Sequence, residues 1–151
     1  MAKRGKSKTK RAGKITVKSV TQVSVLLANV PGELAKITQA LADAGVSVRG
    51  LCRTELGREK LTDHFIVDKV AQAKKVFARL KKKVSTTEIL AFSCPEDRRG
   101  VLVSIARVLG DASINIENIF VSTPGNAAAV VYIAVPPADV KRALTAAKAI
   151  R

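Results

Sequence analysis

The sequence predicts an α+β fold in which a strand–helix–strand–strand–helix unit is used twice, with antiparallel sheets covered by helices on one face. Three observations carry that prediction. Apolar residues alternate in some stretches and recur at three- and four-residue spacing in others. The two kinds of stretch follow one another in the same order in both halves of the 151-residue chain. The turn Asn29-Val30-Pro31-Gly32-Glu33-Leu34 also has a second copy, with Gly100 standing 68 positions after Gly32 and Leu102 standing 68 after Leu34.

Alternation runs from Ile15 through Val17, Val20, Val23, Val25 and Leu27, as a half-buried strand requires. Its phase changes near Ser19, so a short strand followed by a longer one, or a bend, is expected there. Pro31-Gly32 then opens a helix on which Leu34, Ile37, Leu41 and Ala44 share a face. Gly45 ends it, and Val46, Val48 and Leu51 begin a strand. A further strand, Leu61 to Asp68, is joined to it across Gly57-Arg58. Val70, Ala73, Phe77 and Leu80 mark a second helix with a basic outer face, and Val84 to Phe92 is again extended.

From there the order repeats, with a helix from about Gly100 to Asp111, strands Ile114 to Val121 and Ala128 to Val135, and a helix from Ala138 to Ala149. Leu102, Ile105, Ala106 and Leu109 take the places of Leu34, Ile37, Thr38 and Leu41. Phe65 aligns with Tyr132, one position short of the main offset, which places a lost residue in the hairpin region. Each unit has the ferredoxin-like βαββαβ order, whose fourth strand follows the second helix. Val84 to Phe92 can finish the first unit and start the second. The second unit ends without a strand of its own, and Ile15-Thr16-Val17 can fill that gap. A pseudo-twofold molecule follows, in which each connecting segment serves both halves. The expected division is a basic disordered tail over residues 1–14, a first module over 15–83 and a second over 84–151.

Lys and Arg number 27 against 12 acids, a formal net charge of +15. Polyanions are therefore one class of partner to consider. The charge concentrates in residues 1–14 and along Lys69, Lys74, Lys75, Arg79, Lys81, Lys82 and Lys83. No apolar run is long enough to span a bilayer, so no membrane partner and a cytoplasmic location are expected. Cys52 and Cys94 lie far apart without a CxxC partner, which excludes a zinc knuckle.

The Pro31-Gly32-Glu33-Leu34 turn, the Leu34/Ile37/Leu41 face and Ala44-Gly45-Val46-Ser47-Val48 resemble the ACT family of small-molecule-binding regulatory modules. Gly100-Val101-Leu102 and Ala112-Ser113-Ile114-Asn115-Ile116 repeat the signature, so the resemblance is to a tandem pair. It implies modules paired edge to edge and an amino acid or similar small effector bound at their junction. Contacts in the family come from the turn before the first helix and the start of the next strand. Carried onto this chain, they are Asn29, Gly32, Glu33, Leu34 and Ser47 in the first half. The second half supplies Arg98, Gly100, Val101, Leu102 and Asn115. The second copy departs from the pattern, with Arg99-Gly100 where the first has Pro31-Gly32. A homodimer, or a partner enzyme docked through sheet edges, is the implied assembly.

Free amides at a helix start can hold a carboxylate, and Ser47 or Asn115 can add a side-chain hydrogen bond. The same residues also serve as caps, turn formers and solvated loop charges. No enzyme, cofactor or metal is expected. His64, the single histidine, lies in an apolar strand, no carboxylate cluster marks a metal site, and phosphate-binding fingerprints are absent. The competing function is nucleic-acid binding through residues 1–14 and the Lys-rich second helix. The strand order suits single-stranded RNA, but such modules stack bases on aromatic residues. Here aromatics make up 3% of the chain.

Overall fold

The computed structural model describes residues 13–95, 100–122 and 128–150. The expected tail falls outside the described residues except for Gly13 and Lys14. The strands are β1 (Thr16–Ala28), β2 (Val48–Glu55), β3 (Lys60–Val67), β4 (Val84–Cys94), β5 (Asn118–Ser122) and β6 (Ala129–Ala134). The helices are α1 (Glu33–Asp43), α2 (Val70–Arg79), α3 (Val101–Asp111) and α4 (Val140–Ala147), the last entered through a 3-10 turn at Pro137–Asp139.

All six strands form one antiparallel sheet in the order β2-β3-β1-β4-β6-β5. Two ferredoxin-like units are fused in it by exchange of strands. The C-terminal part of β1 pairs with β3, from Gln22↔Ile66 to Ala28↔Lys60. The whole N-terminal part of β1 lies against β4, from Thr16↔Ser93 to Val25↔Val84. The last residues of β4 continue onto β6, from Leu90↔Ile133 to Cys94↔Ala129. Each of the two central strands therefore opens one unit and closes the other, as expected from the missing last strand.

β1 is continuous. Val23, Val25 and Leu27 face one core, Ile15 and Val17 the other, and Val20 points to the opposite face of the sheet. The expected phase break near Ser19 is thus absent: odd-numbered positions keep the helix-covered face along the whole strand, with Ser19 and Thr21 as its polar members, and Val20 belongs to the other face. Two helix-covered cores result. The first joins Val23, Val25 and Leu27 to Ile37, Leu41, Phe65 and Phe77, and Val84 packs against it. The second joins Leu90 and Phe92 to Ile105, Leu109, Ile133 and Ala143, and takes Ile15 from the far end of the chain. Phe65, Phe77, Phe92, Ile37, Leu41, Ile105 and Leu109 are fully buried. Each such side chain contributes roughly 1.5–3 kcal/mol relative to exposure.

These cores correct the sequence alignment of the two halves. Phe65 is in the first core, whereas Tyr132 is on the other face of the sheet beside Ile66 and Ile89. The residue equivalent to Phe65 is Ile133. Val23 and Val25 match Leu90 and Phe92, 67 positions on, whereas Ile37 matches Ile105 at 68. The extra residue therefore sits in the second turn and nothing is lost from the hairpin. α3 keeps Ile105 and Leu109 on its core as expected and differs only in its first turn. Val101 packs on the second core, while Leu102 is 48% exposed.

With the strand offset of 67, the pseudo-twofold axis passes through the register pair Thr21↔Glu88. There, between the two helix pairs, the sheet is polar. The Ser19 and Thr21 hydroxyls donate to the two oxygens of Glu88, at 2.6 and 2.5 Å, and hold its carboxyl below the usual range. On the face without helices, the edge strands β2 and β5 curl toward each other. A Cβ on Gly50 would lie 2.9 Å from Phe120 Cε2 and 3.1 Å from Tyr132 Cε2. Asn118 Nδ2 donates to Cys52 Sγ at 3.5 Å, and Phe120 stacks on Tyr132 with centroids 4.9 Å apart.

Candidate functional site

The turn after β1 is tied to the β2–β3 hairpin. The Asn29 backbone N–H donates to the Glu59 carbonyl at 3.0 Å, and its Nδ2 donates to the Arg58 carbonyl at 3.2 Å. Gly32 then takes φ 85° and ψ −11°, a left-handed conformation in which any Cβ is strained, and caps α1 without a side-chain hydrogen bond. Gly100 takes φ 88° and ψ 0° and caps α3 in the same way. Their carbonyls accept from Lys36 and Ser104, each at 3.0 Å, so both helices wind up directly behind the glycine. A Cβ at either position would meet nothing within 4 Å. The two turns are alike in backbone, uncapped by side chains and open in front.

The side chains around them have definite partners. Glu33 forms an ion pair with Lys82, whose hydrogen bond holds its carboxyl below the ordinary value. That pair anchors the start of α1 to the segment between α2 and β4. Leu34 is half-buried against the first core, as Val101 is against the second. The Ser47 backbone N–H donates to Asp68 Oδ1 at 2.8 Å, and its carbonyl accepts from the Asp68 N–H at 3.1 Å. Asn115 is exposed in the segment before β5, and Arg98 lies outside the described residues.

Within a module these residues do not converge. Gly32 precedes α1 and Ser47 follows it, and the intervening helix of 11 residues spans about 16 Å at 1.5 Å per residue. Gly100 and Asn115 flank α3 in the same way, across another 11-residue helix. One small effector can touch both members of such a set only if a second module brings its own strand start to the turn. None of the nine described residues of this set lines the cavity of about 740 Å³ that opens elsewhere on the molecule.

Sequence reasoning missed two polar clusters. Asp63, fully buried in the apolar alternation of β3, is held in a two-pronged pair by Arg53 of β2, at 2.7 and 2.8 Å. Its face was legible from the Leu61-Asp63-Phe65 alternation, but its partner depended on the β2–β3 register. His64, on the helix-free face, accepts or donates at Nδ1 with Ser24 Oγ (2.8 Å) and Gln22 Nε2 (3.3 Å), and at Nε2 with Thr54 Oγ1 (3.1 Å). Both clusters are internal hydrogen-bonding arrangements. Among the described residues, no group of three or more His, Cys, Asp or Glu could hold a metal ion, and no helix is long and apolar enough to cross a membrane.

Comparison with known proteins supports the repeated unit. Residues 89–151 match the sequence model of the ACT domain family. No curated protein matches the chain. A solved structure from Bacteroides thetaiotaomicron aligns with a TM-score of 0.75 at 24% identity, covering 87% of this chain and 88% of that one. The ligand-free regulatory subunit of aspartate kinase from Thermus thermophilus aligns at 0.66 and 18% identity, over 92% of this chain and 97% of that one. E. coli aspartokinase III in complex with lysine and aspartate aligns at 0.54 and 12% identity, over 92% of this chain but 33% of the enzyme. The second half is thus similar to an ACT domain over the matched residues, and the whole chain resembles aspartate kinase regulatory subunits in fold.

Proposed function

We propose, from the premise that this is an ACT-domain protein built of two such units, that it is a regulatory protein sensing an amino acid at its module junctions. The observation that carries the reading is the duplicated glycine turn. Two left-handed glycines cap two helices with no side chain in the way, and both face open space. Helix amides there suit a carboxylate. The solved regulatory subunit and the lysine- and aspartate-bound kinase of the same fold favour an amino acid as the effector.

The separation of Gly32 from Ser47, and of Gly100 from Asn115, makes each site composite. A second copy of this chain, or a catalytic partner, completes it through a sheet edge. The edges are suited to that. Leu51 of β2 and Ile119 and Val121 of β5 are 36%, 39% and 51% exposed on the helix side of strands whose outer backbone is unpaired. In this arrangement Asn29, Gly32, Glu33 and Leu34 form one wall with a partner's strand start, and Gly100, Val101 and Leu102 form the other. Glu33 meets the effector's ammonium only by releasing Lys82.

A thermal-shift screen of the twenty amino acids tests this reading. One of them raises the unfolding midpoint, by the equivalent of about 2.7 kcal/mol at a hundred times Kd. Gly32→Ala loses the response, while Gly57→Ala keeps it. Gly57 is the right control, because its φ is 98° and a Cβ there also meets nothing within 4 Å. Both substitutions carry the same left-handed strain of about 1–2 kcal/mol. If no amino acid stabilises the protein, or if Gly32→Ala and Gly100→Ala together respond like the wild type, the reading fails.

A second reading has its own observation. Lys60, Lys81, Lys82 and Lys83 line a concavity of about 390 Å³. Lys74, Lys75 and Arg79 of α2 are exposed as well. Absence of any amino-acid response, together with RNA affinity that falls steeply with salt and depends on residues 1–14, would favour a polyanion partner.

A further inference from the structure

The helix-free face is related to itself by the pseudo-twofold axis, yet its two halves are furnished differently. Ser24, His64 and Thr54 occupy the positions that Ala91, Tyr132 and Ser122 occupy in the other half, as the register pairs Ser24↔His64 and Ala91↔Tyr132 show. On the first side the hydrogen-bonded group around His64 fills the surface, and the cavity left there is about 180 Å³. On the second side the cavity reaches about 740 Å³.

This larger cleft draws on both units. Its floor is Val20 of β1 with Ala91 and Ser93 of β4. One side is Arg49 and Ile66 of the first unit, with Asp68 already engaged by the Ser47 N–H. Tyr132 and Ser122 of the second unit form the other. The charge is one-sided too. Arg49 and Lys18 stand at the cleft, whereas the equivalent positions in the other half hold Glu117 and Ser85. Burial raises the pKa of the Tyr132 hydroxyl while Arg49 pulls it down, which places the guanidinium within electrostatic reach of the phenol.

We propose that this cleft is a binding site for an organic anion larger than an amino acid, with its anionic group on Arg49 and Lys18 and its apolar body on Val20, Ile66 and Ala91. Clefts of about 300–1,000 Å³ with apolar walls and a few polar groups take drug-sized molecules. A guanidinium next to hydroxyl donors suits a carboxylate, sulfonate or phosphate. The site does not depend on the amino-acid reading, since none of the turn residues lines it.

The full-length protein is titrated with 8-anilinonaphthalene-1-sulfonate, an aromatic sulfonate, and its fluorescence followed. Saturable binding at one site is expected. Arg49→Glu, an exposed change that disturbs no packing, weakens it at least tenfold. Ala91→Phe, which fills the floor, abolishes it. Arg79→Glu on the exposed side of α2 makes the same charge change away from the cleft and leaves binding within twofold. Unfolding midpoints are recorded for every variant. Should Ala91→Phe fail to fold, the contrast between Arg49→Glu and Arg79→Glu decides. Equal weakening by both, or binding unaffected by Arg49→Glu, overturns the proposal.

Discussion

His64 shows how much one side chain depends on its setting. Three neighbouring side chains contact its ring on the helix-free face, and burial pushes its pKa below the usual value while the charge of Asp63 acts the other way. With the native pKa below the unfolded one, the unfolded chain takes up the proton first. The stability His64 contributes is therefore complete above about pH 6.5 and is lost as the pH falls through that value toward the native pKa. Urea unfolding between pH 7.5 and about 5.5 checks this. The midpoint falls on acidification in the wild type and falls less in His64→Gln. Equal slopes would show that the ring titrates as it does in the unfolded chain. None of this was legible from a lone histidine in an apolar strand, because its partners Ser24 and Thr54 come from two other strands. Asp63 was equally opaque, since alternation gave its face and only register gave Arg53.

At the scale of elements, period and punctuation carried most of the information. All four helices and all six strands stand where periodicity placed them, within a few residues. The largest departure is β5, which starts at Asn118 rather than Ile114. Ile114 is buried, but Ser113 just before it takes a left-handed φ of 55°, so the chain reaches the core before it is extended. What periodicity could not convey is how strands meet at the sheet's edges. Gly50 looked like any glycine in a strand, yet it sits where β2 crosses the stacked Phe120 and Tyr132 rings. Gly50→Ala forces those rings apart and is expected to destabilise the protein by about 1–3 kcal/mol. Tyr132 is the single tyrosine of the chain, so the displacement is readable in its near-ultraviolet circular dichroism. An unchanged spectrum with unchanged stability would mean that the edges separate without cost.

For the whole molecule, the decisive feature is that neither unit owns all its strands. Ile15 packs in the core of the second unit and Val84 against that of the first, so melting one unit strips a strand from the other. Calorimetry should show a single transition with equal calorimetric and van't Hoff enthalpies, although the chain holds two cores. Two resolved transitions would contradict this coupling. The exchange was legible in outline, because Ile15-Thr16-Val17 stands before the first unit as Val84-Ser85-Thr86 stands before the second. The candidate site was less legible. Sequence identified the paired glycines, but it could not show that each helix keeps its turn and its next strand about 16 Å apart. Nor could it show that a cleft of about 740 Å³ would open elsewhere, since that cleft depends on which of two related surfaces is filled.

The pairing of β1 with β4 also bears on how the protein is made. Thr16 pairs with Ser93, 77 positions later. During synthesis the N-terminal half of β1 emerges first, yet its neighbour in the sheet is among the later strands to appear. Until then the nascent chain carries an open strand edge beside a first core that lacks its closing segment. Contacts so distant in sequence slow folding, and an edge left waiting invites a strand from a neighbouring chain. The strand that unites the finished molecule is thus the one most exposed to capture by another copy on the way there.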